Sequence, residues 1–181
     1  SQWTALNYDD NSWKTGNAEF GYGDGDETTV IGYGNDSQNK YVTSYFRKTF
    51  NVENLSELDN EIVCKILRDD GAVVYINGVE VVRTNIDQGS NYLTYADGAD
   101  SETEFYSYII NKNILVEGTN IIAVEVHQNY ASSSDLSFNL SLEASKTLSS
   151  YSDSKTIKDA IISFIPKGNI KLEAKFDKGY Q

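Results

Sequence analysis

The sequence has one cysteine, one proline, one histidine and no methionine. With Cys64 alone, an internal disulfide and any multi-cysteine zinc site are excluded. With His127 alone, so is a histidine-rich metal site. No apolar run approaches the roughly 18 residues that span a bilayer as a helix. Positive charge is also scarce. Against 27 Asp and Glu stand 15 Lys and Arg, a formal net charge of −12. Such a surface disfavours a nucleic-acid backbone or an anionic lipid layer as partner. What the chain does have is aromatic residues, 13 Tyr and 7 Phe. Aromatic side chains suit pleated, half-buried surfaces, so the composition points to β-structure. At 181 residues and 39% hydrophobic content, there is enough for one ordinary domain plus an appendage.

Charge divides the chain. Residues 1–144 carry 8 Lys and Arg against 23 Asp and Glu, whereas residues 145–181 carry 7 Lys against 4 acids. The change falls beside the Ser-rich stretch Ser149–Ser154 and before the single Pro166. We place a boundary at Ala144, with 145–181 a C-terminal extension or the start of a following domain. Within it, Ile157, Ala160, Ile161, Phe164 and Ile165 have helical spacing. Residues 170–176 alternate like a strand. Ser1 is not preceded by a leader, so the chain reads as a module of a longer protein or as a processed mature chain.

Several runs in residues 1–144 read as strands: 41–52, 61–68, 72–76, 79–83, 104–110, 119–127 and 135–142. Asn77-Gly78 between two of them is a strong hairpin signal, because a type I′ turn needs positive φ at both central positions. Leu136, Phe138, Leu140 and Leu142 alternate inward against Ser137, Asn139 and Ser141. Asn54-Leu-Ser-Glu57 resembles a helix cap. Many short strands with regular turn signals predict an all-β fold, an antiparallel jelly-roll β-sandwich, with a short C-terminal α/β extension.

The order of the motifs resembles a known family. Trp3 and Tyr8-Asp-Asp-Asn-Ser-Trp13 come first, then Phe20-Gly-Tyr-Gly23 and Thr43-Ser-Tyr-Phe-Arg-Lys-Thr-Phe50. The run from Arg68 to Arg83, the run from Gly118 to Gln128, and Ser133-Ser-Asp-Leu-Ser-Phe138 follow. Together they resemble the galactose-binding-domain-like jelly rolls that serve as accessory modules of large secreted bacterial enzymes. The resemblance spans residues 1–144. It implies the fold; the fold itself hosts sugar binders, protein binders and spacers.

Candidate binding residues cluster at strand ends. Asp69 and Asp70 are adjacent carboxylates before Gly71; they suit a hard cation or a sugar, and equally a turn. His127, Gln128, Tyr130 and Asp135 flank one loop, which lies at the sandwich rim if strands 119–127 and 135–142 form a hairpin. Arg47 and Arg68 would lie on neighbouring strands. Amide, imidazole, guanidinium and carboxylate groups match sugar hydroxyls, which both donate and accept. The competing reading is structural, a His127–Asp135 pair or a buried Arg47–Asp135 salt bridge. Trp3 and Trp13 read as core anchors. Tyr22, Tyr33, Tyr92 and Tyr95 are candidates for a stacking platform.

Asp24, Asp26 and Thr28 alternate in the loop Gly23–Thr29 and can present oxygens to calcium. The family resemblance implies a late acidic partner for such a loop, and Glu143 is the natural candidate; a solvated acidic loop is the other reading. No Gly-x-Ser-x-Gly elbow occurs, and no carboxylate pair stands out among the 27 acids, so we read the chain as non-catalytic. The expectation is a calcium-stabilised carbohydrate-binding module of a secreted or cell-surface bacterial polysaccharide-acting enzyme. Its partners would be a polysaccharide or oligosaccharide, neutral glycans by preference, and neighbouring domains of the same chain; nucleic acid and membrane are not expected. The alternative is a structural or protein-interaction β-sandwich that positions a neighbouring catalytic domain.

Overall fold

A computed structural model describes residues 2–98, 101, 103–146 and 171–175. The chain forms two β-sheets packed face to face. The strands are β1 (Lys14–Asn17), β2 (Phe20–Tyr22), β3 (Thr29–Val30), β4 (Thr43–Val52), β5 (Leu58–Arg68) and β6 (Gly71–Ile76), followed by β7 (Val79–Thr84), β8 (Tyr106–Asn111), β9 (Gly118–His127), β10 (Leu136–Lys146) and β11 (Lys171–Lys175). The front sheet has the order β1-β11-β4-β9-β6-β7 and the back sheet the order β3-β2-β10-β5-β8. Strand pairing is antiparallel except between β2 and β3. The all-β sandwich read from the sequence is therefore the architecture found.

Period-two alternation places the core. Phe46, Val74, Val124 and Val126 point inward from the front sheet, and Phe20, Ile62, Ile66, Phe138 and Leu140 point inward from the back sheet. The aromatic rings interlock across the gap, with Phe46 4.3 Å from Phe138 and 5.4 Å from Phe20 between ring centroids. The turn between β6 and β7 has Asn77 at φ 52° and Gly78 at φ 83°, as the hairpin signal requires. Asn54 caps a single 3-10 turn at Leu55–Glu57, its side chain accepting from the Ser56 N–H.

Three expectations change. Strands 119–127 and 135–142 are not a hairpin: β9 belongs to the front sheet and β10 to the back, so the intervening loop crosses between layers. Strand alternation fixes which face is buried but not which sheet a strand joins. Trp13 is buried as expected and Trp3 half-buried, but neither belongs to the core cluster between the layers. Both belong to an N-terminal segment on the outer face of the front sheet, where the Arg47 guanidinium lies 5.8 Å from the Trp13 ring and Trp3 packs edge-on against Tyr45 and Tyr75. Tyr22 is buried, and Tyr33 packs beside it at 5.0 Å, which removes both from the stacking platform. β11 takes a place inside the front sheet, with Ala174 opposite Phe46 on one side and Lys14 on the other. The helical spacing at 157–165 lies outside the described residues.

Candidate functional site

The outer face of the front sheet carries side chains that period two directs away from the core: Tyr45 and Arg47 on β4, Glu125 and His127 on β9, Tyr75 on β6. Tyr45 stands directly opposite Glu125 in the ladder, and Tyr75 opposite Ala123. Neighbours on one face of adjacent strands are close enough to interact, and the Tyr75 hydroxyl donates to Glu125 Oε1 at 2.9 Å. Burial, with the Glu125 charge behind it, pushes the Tyr75 hydroxyl well above its usual range.

Two segments rise on either side of this floor. Arg47 fastens the N-terminal one. Its Nε donates to Asp10 Oδ2 at 2.8 Å, its Nη1 donates to the carbonyls of Trp3 and Ala5, and its guanidinium lies 5.1 Å from the Tyr8 ring. The loop after β7 forms the other wall. Thr43 Oγ1 donates to the Tyr92 carbonyl at 2.8 Å, and Arg83 Nη1 donates to Ser90 Oγ at 2.8 Å. Between the walls is a groove of about 280 Å³. Tyr45, Tyr75 and Glu125 form its floor, Trp3, Thr4 and Gly78 one side, and Ser90, Asn91 and Tyr92 the other. Tyr92 is 47% exposed, whereas Glu125 is only 9% exposed.

Behind the floor lies His127, with no solvent exposure. Its Nδ1 sits 2.8 Å from the Thr94 carbonyl and 3.1 Å from Thr43 Oγ1. A carbonyl only accepts, so the proton is assigned to Nδ1. Nε2 has no hydrogen-bond partner and lies 3.9 Å from Glu125 Oε2.

Most of the sugar-binding residues expected from the sequence are in the interior. Arg47 is 2% exposed and committed to Asp10 rather than to Asp135. Asp69 and Asp70 are 2% and 3% exposed, where the chain passes from β5 in one sheet to β6 in the other. The Asp69 N–H donates to the Ser137 carbonyl and the Asp70 N–H to the His127 carbonyl, and Asp70 Oδ2 accepts from the Asn129 N–H at 2.8 Å. Gln128 is fully buried and donates to the Tyr22 hydroxyl at 2.7 Å and to the Asp135 carbonyl at 2.8 Å. Arg68 is buried, donates to Thr84 Oγ1 and lies over the Tyr106 ring. The loop holding Thr94 and Ala96 closes over this cluster, Ala96 donating to the Gln128 carbonyl. The expected rim is therefore a sealed polar seam that joins the two layers. Of that set, Tyr130 is exposed, at 50%, and Asp135 keeps partial access. His127 and Asp135 are not paired, because His127 turns instead to Thr94.

The acidic loop differs in detail. Asp24, Asp26 and Glu27 bring carboxylate oxygens within 4.8 Å of one another. Glu27 also folds back to accept from the N–H groups of Asp24 and Gly25, at 3.0 and 3.1 Å. Thr28, expected to add an oxygen, is exposed. Glu143 is far along β10, paired with Lys65 at 2.7 Å, and so cannot be the late ligand. The acid that approaches the loop is Asp135, just before β10. Burial raises the Asp24 carboxyl, the Ser137 hydroxyl bonded to it at 3.0 Å opposes this, and Asp135 raises it further.

Glu125 and Tyr75 escaped the sequence reading because a lone acid in Ile-Ile-Ala-Val-Glu-Val reads only as an outward strand position. The usable signal was the shared period: Tyr45, Tyr75 and Glu125 all fall on the face opposite the core.

The chain matches no protein-family model and no curated protein. Among solved structures it is similar to a beta-glucuronidase from glycoside hydrolase family 2, at 21% identity and TM-score 0.42, over 70% of this chain and 12% of that one. It is also similar to an alfa-L-rhamnosidase from Aspergillus terreus, at 14% identity and TM-score 0.41, over 74% of this chain and 14% of that one. A third is a beta-glycosidase from Bacteroides vulgatus, at 19% identity and TM-score 0.38, over 76% of this chain and 18% of that one. The chain spans less than a fifth of each of these proteins.

Proposed function

We propose that this chain is a non-catalytic carbohydrate-binding module, a galactose-binding-like accessory domain of a larger secreted or cell-surface bacterial enzyme that acts on polysaccharide. The groove on the outer face of the front sheet is its glycan site. The observation that carries this reading is the set of side chains lining it: Trp3, Tyr45, Tyr75 and Tyr92 beside Glu125, Ser90 and Asn91. Sugar rings present C–H faces that pack on aromatic rings, while their hydroxyls need groups that accept as well as donate. The volume, about 280 Å³, falls near the lower end of small-molecule sites and suits a single sugar residue.

Calcium belongs to the proposal as a structural ion, held by Asp24, Asp26 and Glu27. Its charge would relieve the repulsion among those carboxylates and Asp135 and fix the loop beside β10. It has no part in the sugar contacts.

Affinity electrophoresis of the wild type and of Tyr92→Ala against a panel of polysaccharides tests the glycan site. Retardation of the wild type that Tyr92→Ala loses supports it. No retardation by any glycan overturns it and leaves the sandwich as a positioning domain for a neighbour.

A further inference from the structure

Resting on the glycan reading, we propose that the groove selects a sugar bearing a cationic nitrogen, a hexosamine with a free ammonium group. The Glu125 carboxylate, 9% exposed, has lost most of its hydration, which is costly unless a counter-charge replaces it. Tyr75 offers one neutral hydrogen bond to Oε1. Among the described residues, the one basic group within ion-pair distance is His127 Nε2, at 3.9 Å. That nitrogen is beyond hydrogen-bond reach of the carboxylate and has no hydrogen-bond partner, while the ring's Nδ1 is turned to the Thr94 carbonyl. Arg83, on neighbouring β7, is engaged elsewhere, its Nη2 2.7 Å from Glu80 Oε2. Among the described residues, the floor of the groove therefore holds a carboxylate whose hydrogen bond comes from a neutral hydroxyl, with the nearest basic nitrogen 3.9 Å away.

The walls favour the same ligand. Trp and Tyr rings attract a cation through their faces, and a carboxylate beside them adds direct charge pairing. A net charge of −12 raises the local concentration of cations and repels uronic acids and sulfated sugars. A neutral sugar would gain the stacking but bring no cation within hydrogen-bond distance of Glu125. An N-acetylated sugar has the nitrogen without the charge.

The test is calorimetric titration of the 181-residue chain with four probes at one ionic strength: glucosamine oligomers, N-acetylglucosamine oligomers, glucose oligomers and choline. Glu125→Gln keeps an acceptor for Tyr75 and removes the charge. The expected result is binding of glucosamine oligomers at least about tenfold tighter than either neutral oligomer, with the preference abolished in Glu125→Gln. Equal binding of the neutral oligomers overturns the selectivity and leaves the glycan site standing. Binding of choline without any saccharide overturns the proposal of a sugar ligand for the cation, as does binding of none of the four, and the polysaccharide panel then decides the glycan site separately. Circular dichroism of Glu125→Gln checks its fold; if it fails to fold, the wild-type preference for free over acetylated amine decides alone.

Discussion

Buried Arg47 and half-buried Asp10 form an ion pair whose consequence lies two steps away. The guanidinium holds Asp10 at 2.8 Å, and its other nitrogens hold the carbonyls of Trp3 and Ala5, so one side chain of the sheet fixes the backbone that carries a wall of the groove. Asp10→Ala leaves the guanidinium buried without its anion. We expect a loss of about 2 kcal/mol in urea denaturation. Ligand affinity should weaken as well, because Trp3 loses its anchor. An unchanged denaturation midpoint would show that the pair contributes nothing net.

Gly21 has no room for a side chain. A Cβ there would stand 2.0 Å from the Leu136 carbonyl oxygen, a backbone atom of the strand with which β2 pairs. Gly21→Ala must push β2 off β10. The expected cost is about 3 kcal/mol, read from the same denaturation experiment.

The acidic loop gives a pH dependence with a definite sign. Burial raises the carboxyls of Glu19 and Asp24 above their ordinary values of 4.5 and 3.8, with neighbouring acids adding to it. A raised carboxyl means that the folded state holds its proton to higher pH than the unfolded chain. Its contribution is fully present below the ordinary value and is lost as pH rises through the raised one. In EDTA, Asp24→Asn should therefore melt higher than wild type at pH 7, and the difference should vanish toward pH 3. A lower melting temperature for the variant at pH 7 would refute this.

Calcium reverses that sign. If Asp24, Asp26 and Glu27 take the ion, adding it at 100 times its dissociation constant should stabilise the wild type by about 2.7 kcal/mol. The Asp24→Asn, Asp26→Asn double variant should show no response. A wild-type melting curve indifferent to EDTA would remove calcium from the proposal.

The sandwich was legible because its signals are local. Asn77-Gly78 names its own turn, and Leu136, Phe138 and Leu140 name their own face. β1, β2 and β3 escaped detection because they are two to four residues long, and β1 and β2 are also interrupted by glycine. The site was poorly legible for a different reason. His127, Gln128, Asp69 and Asp70 have the residue types of a sugar site, but the loop through Thr94 and Ala96 covers them, and that contact joins segments distant in sequence. Arg47 found Asp10 rather than Asp135 because the N-terminal segment crosses the outer face, which no periodicity reports. Tyr92 was identifiable as a loop aromatic; its neighbours Tyr45, Tyr75 and Glu125 were hidden inside ordinary strands.

The place of β11 sets an order of assembly. In the ladder of the front sheet β1 pairs with β11, which lies between it and β4. During synthesis β1 emerges about 150 residues before β11, its ladder partner, and must wait for it. Until then the edge of β4 stays open, offering its unpaired amides to any extended segment nearby. A chaperone, or a second nascent copy, would meet the molecule there first.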